Sequence, residues 1–194
     1  MQDWRSSCLP SCTSSGENEN QKGRMPMARR CFYSFHYKPD NWRASIVRNI
    51  RAIEGNQPAT DNDWESVSGG ANAEEKIKRW ISAQMQGRTC TIVLVGESTA
   101  KRKWINHEII KSWNDGHGVV GIRIHGLKDR LGQTAMMGDN PFDHLTHGPS
   151  KRPLSSLVKC YNPAGSTSQE KYDWISQHLA SAVEEAIRIR NANS

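Results

Sequence analysis

The chain has 194 residues, a net charge of +6 and a pI of about 9.2. Its length suits one domain with a tail, and its positive charge permits an anionic partner without requiring one. Five cysteines without regular spacing argue against a disulfide framework, and no apolar run approaches the roughly 18–20 residues of a membrane span. We therefore expect a cytoplasmic protein in a reducing compartment, with no membrane partner.

The beginning of the chain differs in composition from the rest. Residues 1–26 are rich in Ser, Asn, Gly and Gln and have no apolar periodicity, which predicts a disordered N-terminal extension. A single domain is predicted over residues 27–191. Within that domain, Cys31 and Cys90 fall in predicted strands, where we expect them to be small buried apolar residues.

The predicted domain opens with a short aromatic strand at residues 31–35. After a brief loop, Asp40 is predicted to be the N-cap of a helix that ends near Gly55. The following stretch, residues 56–71, is polar and contains glycine, which predicts a loop with a brief edge strand at residues 64–67.

The middle of the chain predicts a helix, a buried strand and a second helix. Asn72 and Glu75 have the spacing of a capping box and are expected to open the first of these helices. Residues 91–95 form an uncharged, largely β-branched run, typical of a strand covered on both faces. Gly96 ends that strand, and a helix is predicted over residues 103–113. The apolar residues that recur four apart on this helix, and so predict its core-facing stripe, are Ile105, Ile109 and Trp113.

The C-terminal part continues the alternation. A strand is predicted at residues 118–124, an irregular stretch at residues 127–149 and a short strand at residues 157–161. Thr167 and Glu170 form a second predicted capping box, which opens the last helix. This alternation predicts an α/β fold of flavodoxin-like type: a doubly wound, mainly parallel sheet with helices on both faces.

Trp104 and Glu108 are the first candidates for a functional site. They lie four residues apart on the predicted helix, beside its core-facing stripe, and therefore point to one flank. That flank lies near the carboxyl end of a central strand, where open α/β sheets bind their ligands. A carboxylate beside an aromatic wall could stabilise a cationic transition state at a sugar carbon. In the alternative interpretation Trp104 is a core residue and Glu108 is a solvated surface side chain.

Histidines offer two further candidates. His36 follows the first strand, a position at which a single histidine is more often structural than catalytic. His144 and His147, with His125 and Asp143 nearby in the sequence, have a spacing that could ligate a metal. Because they lie in a Pro- and Gly-rich stretch without a cysteine partner, we expect no metal site.

A basic run at residues 101–103 precedes the helix that carries Glu108. It is interpreted either as a phosphate-binding patch or as a solvated helix entry. Helix N-termini favour anions, so the run carries a mild local cost that a phosphate ligand would offset. The chain has no P-loop, GxGxxG, HExxH or GxSxG motif.

Two segments resemble Toll/interleukin-1 receptor (TIR) domains. CFYSFHYKPDNWR is similar to the opening strand and loop of that family, and STAKRKWINHEI resembles its Ser…Trp-x-x-x-Glu-Leu/Ile motif. Four blocks in order are more specifically similar to the TIR-like ThsB proteins of the bacterial Thoeris antiphage system. These blocks are RCFYSFHY, KWINHEIIKSW, VVGIRIHGLKD and GDNPFDHL.

The resemblance implies an enzyme that cleaves the N-glycosidic bond of NAD, with Glu108 as its catalytic carboxylate. Phe35, His36, Tyr37 and Trp104 are then expected to line the pocket for the nicotinamide ribose. NAD is the substrate, and no metal or other cofactor is expected. The implied product is a cyclic ADP-ribose isomer, a messenger that activates a partner effector protein during phage infection. A phage-derived trigger and a homo-oligomer are further partners that the resemblance allows.

Two other functions remain as alternatives. One is a non-catalytic TIR-like module that signals through protein interaction and assembly. The other is a nucleic-acid-binding or nuclease domain, which would require a clustered basic face and a set of metal-binding carboxylates. The sequence displays neither feature, so no nucleic-acid partner is expected.

Overall fold

The structure, a computed structural model, describes residues 29–50 and 72–194. The predictions for residues 1–26 and for the loop at residues 56–71 with its edge strand lie outside the described residues. The predicted helix end near Gly55 is wrong, because the first helix ends at Arg48 with Asn49 as its C-cap. The remaining predicted elements can each be compared with the structure.

Parallel strands form the central sheet of the described residues. The strands in chain order are β1 (Cys31–Ser34), β2 (Cys90–Val95), β3 (Gly118–Arg123), β4 (Thr146–His147), β5 (Arg152–Pro153) and β6 (Cys160–Tyr161). The main sheet has the order β1-β2-β3-β6, whereas β4 and β5 form a separate antiparallel pair. Cys31 and Cys90 lie opposite each other in neighbouring strands and are both buried, as predicted.

Helices cover both faces of this sheet. They are α1 (Tyr37–Arg48), α2 (Ala73–Met85), α3 (Lys103–Asn114) and α4 (Ser168–Asn191). Successive residues of a strand point to opposite faces. Ile92 and Leu94 therefore pack with α1 and α4, whereas Val93 and Val95 pack with α3. The α2 helix packs with Phe32 and Trp104 in a third apolar cluster. The predicted α/β class, with a doubly wound parallel sheet, is confirmed.

One predicted helix start is wrong, and one predicted capping box does not form. The α1 helix begins at Tyr37 with His36 as its N-cap, and Asp40 lies inside the first turn with a buried side chain. This start accommodates Pro39, because the first N–H groups of a helix have no intrahelical partner and proline has no N–H group to leave unpaired. Asn72 does precede α2, but its φ of 63° is left-handed and its side chain makes no capping hydrogen bond. The predicted capping box therefore does not form. Asn tolerates the left-handed conformation better than most residues.

The second predicted capping box is confirmed. The backbone N–H of Glu170 donates to Thr167 Oγ1 over 3.2 Å, and the N–H of Thr167 donates to Glu170 Oε2 over 2.9 Å. The α4 helix that starts there buries Ile175 and Leu179 against the sheet, as its periodicity predicts.

The predicted irregular stretch at residues 127–149 contains a 3-10 helix at Pro141–His144 and the β4 strand. The last predicted strand is shorter than expected and is limited to β6. The buried guanidinium of Arg43 on α1 anchors the start of this stretch, since it donates to the carbonyl oxygens of Leu127 and Gln133. Within the two described segments, no helix combines the length and the apolar character needed to cross a membrane.

Candidate active site

A hydrogen bond between β1 and α3 lies at the centre of the candidate site. Ser34 is the last residue of β1, and Glu108 lies in the second turn of α3. The hydroxyl of Ser34 donates to Glu108 Oε2 over 2.5 Å, and both side chains are buried. Glu108 is only 1% exposed. The alternative interpretation of Glu108 as a solvated surface residue is therefore wrong.

The carboxyl of Glu108 is incompletely satisfied. Its Oε1 atom is buried and has no hydrogen-bond partner in the described part of the chain. Burial raises the pKa of this carboxyl to about 8, and the hydrogen bond from Ser34 only partly opposes that rise. A buried carboxyl with a strongly raised pKa and one free oxygen is a typical feature of a functional site.

Trp104 lies one turn before Glu108 on the same side of α3. Its indole is 8% exposed and packs in the cluster of Phe32 with residues of α2. Phe32 and Ser34 lie two apart on β1 and so share one face of the sheet. One stripe of α3 thus meets one face of β1, and the structure brings Trp104 and Glu108 into the same layer.

The loop that follows β1 lies at the carboxyl edge of the sheet. His36 Nδ1 is 2.9 Å from the hydroxyl oxygen of Ser98, in the loop between β2 and α3. Tyr37 is partly buried, with its ring centroid 6.4 Å from that of Phe35. Phe35 itself packs with α1 and α4, on the opposite face of the sheet from Glu108. The structure thus places His36 beside the loop between β2 and α3, whereas Phe35 and Tyr37 both pack with the cluster on the other face of the sheet.

The structure adds two polar residues that the sequence did not single out. Ser34 could have been recognised as a polar residue that shares the Phe32 face of a buried strand. Asp40 was noticed only as a helix cap, yet its carboxyl is buried, and its Oδ2 has no hydrogen-bond partner among the residues described. Burial raises the pKa of Asp40 to about 6, against the influence of nearby Arg43 and with a smaller contribution from Glu97.

The histidines of the irregular stretch are engaged elsewhere. Trp113 Nε1 donates to His147 Nδ1 over 2.9 Å, and the two rings meet edge to face. Within residues 29–50 and 72–194, no group of three or more His, Cys, Asp or Glu side chains is placed to hold a metal ion.

The side chains of the basic run are exposed and engage local partners. Lys101 pairs with Asp139 over 3.6 Å, and Lys103 pairs with Glu74. Arg102 donates to the carbonyl oxygen of Ser98. These contacts fit the interpretation of the run as a solvated helix entry.

Comparison with known proteins identifies the family. The family model described as "Thoeris protein ThsB, TIR-like domain" matches residues 32–129, which is half of the chain. The match contains all of β1 except Cys31, and it includes Ser34, α3 and Glu108 in their structural order. The chain belongs to the ThsB TIR-like family.

A curated member of this ThsB group supplies a second comparison. A protein of Bacillus cereus (strain MSX-D12), named "Putative cyclic ADP-D-ribose synthase ThsB1", is 36% identical over 124 residues. That alignment covers 61% of this chain and 64% of the relative. The chain therefore spans less than two thirds of the length of this relative.

Proposed function

We propose that this chain is a TIR-like NAD-cleaving enzyme of bacterial antiphage defence. It releases nicotinamide and forms a cyclic ADP-ribose-type nucleotide, which activates a partner effector protein. The observation that carries this proposal is the buried Glu108 carboxyl, with one bonded and one free oxygen, inside the segment that matches the family. The name of the Bacillus cereus relative, a cyclic ADP-D-ribose synthase, supports the product class.

The reaction breaks the bond between C1 of the ribose and N1 of the pyridinium ring. The bonding electron pair leaves with nicotinamide, which departs as a neutral molecule and so needs neither a metal nor a strong acid. The ribose acquires oxocarbenium character, and the Glu108 carboxylate stabilises its positive charge. An adenine nitrogen or a ribose hydroxyl of the same molecule then bonds to C1, and one proton is lost as the ring closes.

The geometry of Glu108 suits this role. With Oε2 held by Ser34, the unpartnered Oε1 is the oxygen left to accept from a ribose hydroxyl. Because Oε1 is buried, NAD must displace the side chains that cover it in order to reach it. The cationic pyridinium of bound NAD lowers the pKa of the adjacent carboxyl, because an opposite charge favours the ionised form. Substrate binding thus produces the carboxylate at the place where positive charge develops.

The other predicted site residues take different places around Glu108. His36 and Tyr37, partly exposed at the carboxyl edge of the sheet, are proposed to contact the nicotinamide ribose. The ring of Trp104 is largely buried, so we propose that it shapes the pocket through packing and presents only an edge to the substrate. Phe35 packs on the other face of the sheet, so we propose that it supports the loop of His36 without contacting the substrate. NAD enters as substrate, and we propose no further cofactor.

Self-association is a further part of the proposal. Closing a site against water favours cyclisation over hydrolysis, and a second copy of the chain could complete that closure. Leu131, Met136 and Met137 are 73%, 75% and 60% exposed in the stretch after β3. Exposed apolar side chains of this size also fit the second candidate function, a non-catalytic module that acts by assembly.

The test is nucleotide chromatography of lysates from cells that express the protein, with and without phage infection. Glu108→Gln is the matched variant, because glutamine keeps the shape of the side chain and cannot ionise. We expect an ADP-ribose-like product that appears on infection and is absent from the variant. Unchanged NAD and no new nucleotide, with folded protein present, would favour the assembly module instead.

A further inference from the structure

We propose that Ser34 is the positioning residue for Glu108: its hydroxyl fixes which carboxyl oxygen faces the substrate and stabilises the ionised form. This inference rests on the proposed function, since it assigns a role within the same site. It concerns a residue that would not itself contact NAD.

Ser34 is placed to act on Glu108 and is itself rigidly held. It is fully buried at the end of β1, where it lies opposite Val93 of β2 in the parallel ladder. A serine hydroxyl carries one proton to donate, and here the acceptor is Glu108 Oε2 at 2.5 Å. The sheet therefore fixes the donor, and the donor fixes one oxygen of the carboxyl.

The neighbours of Glu108 on α3 make this hydrogen bond more important. Ile105 and Ile109 flank Glu108 on the helix and are fully buried apolar residues. Within the described segments, Ser34 is the group that favours the charged form of Glu108, and burial opposes it. A hydrogen bond from a hydroxyl to a buried carboxylate is stronger than the same bond in water, because the surrounding dielectric is low.

Loss of the Ser34 hydroxyl should change the ionisation of Glu108 more than the fold. In Ser34→Ala both carboxyl oxygens lack a partner in the described structure, so the ionised form loses its one donor. The pKa of Glu108 should rise further above 8, by about one unit or more, given the usual strength of a hydrogen bond to a charged group. At neutral pH, kcat/KM should then fall by about tenfold for each unit, because this ratio reports the ionisation of the free enzyme.

Ser112 provides a matched control on the same helix. It lies four residues after Glu108, is fully buried, and its hydroxyl is 2.6 Å from that of Thr91. Ser112→Ala therefore removes a buried hydroxyl from the same stripe of α3 without removing a hydrogen bond to Glu108. Ser34→Thr keeps the donor and should retain most of the wild-type behaviour, since β-branched residues fit strands.

The experiment is titration of the Glu108 side-chain carboxyl by carbon-13 NMR, together with the pH profile of NAD turnover. Glu108→Gln assigns the resonance by its disappearance. We expect an upward shift of the titration midpoint and of the pH profile in Ser34→Ala, and wild-type midpoints in Ser112→Ala and Ser34→Thr. An unchanged midpoint in Ser34→Ala would overturn the inference.

The two proposals fail in different ways. If the wild-type protein forms no product from NAD under any condition, the proposed function fails, yet the NMR titration still tests the action of Ser34 on Glu108. If the wild type is active and Ser34→Ala has the same titration and the same kcat/KM, the inference about Ser34 fails alone. A shift of equal size in Ser112→Ala would also overturn it, because the effect would then come from general loss of packing.

Discussion

The carboxyl of Asp40 on α1 lies directly against Gly96, the residue that follows β2. A Cβ atom built on Gly96 would overlap both oxygens of this carboxyl. Gly96 also donates its N–H to the buried hydroxyl of Thr99 over 2.8 Å, which holds the loop that leads to α3. Because that loop carries Ser98, the partner of His36, the contact between Asp40 and Gly96 helps to set the carboxyl edge at which the candidate site lies.

Gly96→Ala should destabilise the protein because the added methyl group displaces a buried carboxyl. Overpacking of this kind typically costs about 1–3 kcal/mol of unfolding free energy. Asp40→Ala removes the obstructing group, so the double variant should lose less stability than the sum of the single variants. Chemical denaturation of the four proteins measures this coupling, and strictly additive losses would show that the two residues do not constrain each other.

Glu108→Gln should abolish NAD turnover without lowering the melting temperature. Glutamine keeps the volume of the buried side chain and offers an amide oxygen to the hydroxyl of Ser34. Because Glu108 is buried, the stability of the variant depends on this match in shape. Calorimetry beside the activity assay tests it, and a large drop in melting temperature would indicate a structural role for Glu108.

The layers of the fold could be predicted from the sequence because they depend on local periodicity. The β2 run and the spacing of Ile105, Ile109 and Trp113 place these residues in the core, where the structure has them. The bond from Ser34 to Glu108 spans 74 positions in the chain, and periodicity contains no information on such a pairing. The burial of Asp40 was missed for the same reason, since it depends on the approach of Gly96 from another element.

Ionisation of Glu108 should make the protein less stable as the pH rises, whereas a salt-bridged carboxylate has the opposite effect. Burial raises the pKa of Glu108 to about 8 in the folded protein, from an ordinary value of 4.5. Between these values the folded state holds a proton that the unfolded state has lost, so the unfolding free energy falls as the pH rises. Glu108 changes the unfolding free energy by at most about 1.4 kcal/mol per pH unit.

The difference in unfolding free energy between wild type and Glu108→Gln isolates this contribution from that of the other titrating groups. The variant should gain stability relative to the wild type as the pH rises from about 5 to 8, and the difference should level off above that range. Denaturation at several pH values measures it. A difference that is constant with pH would mean that Glu108 ionises as readily in the folded protein as in the unfolded chain.

Variants of Trp104 test whether its indole acts in packing or in substrate binding. Because the indole packs with Phe32 and residues of α2, Trp104→Ala should cost about 3–5 kcal/mol of stability and would obscure any catalytic effect. Trp104→Phe keeps most of the apolar volume, and Trp80→Phe is the matched control, since Trp80 packs against the same cluster from α2. If Trp104 also presents an edge to NAD, Trp104→Phe should raise KM by several-fold at a small cost in stability, and Trp80→Phe should leave KM unchanged. Equal kinetic effects in the two variants, in proportion to their loss of stability, would assign Trp104 to the core alone.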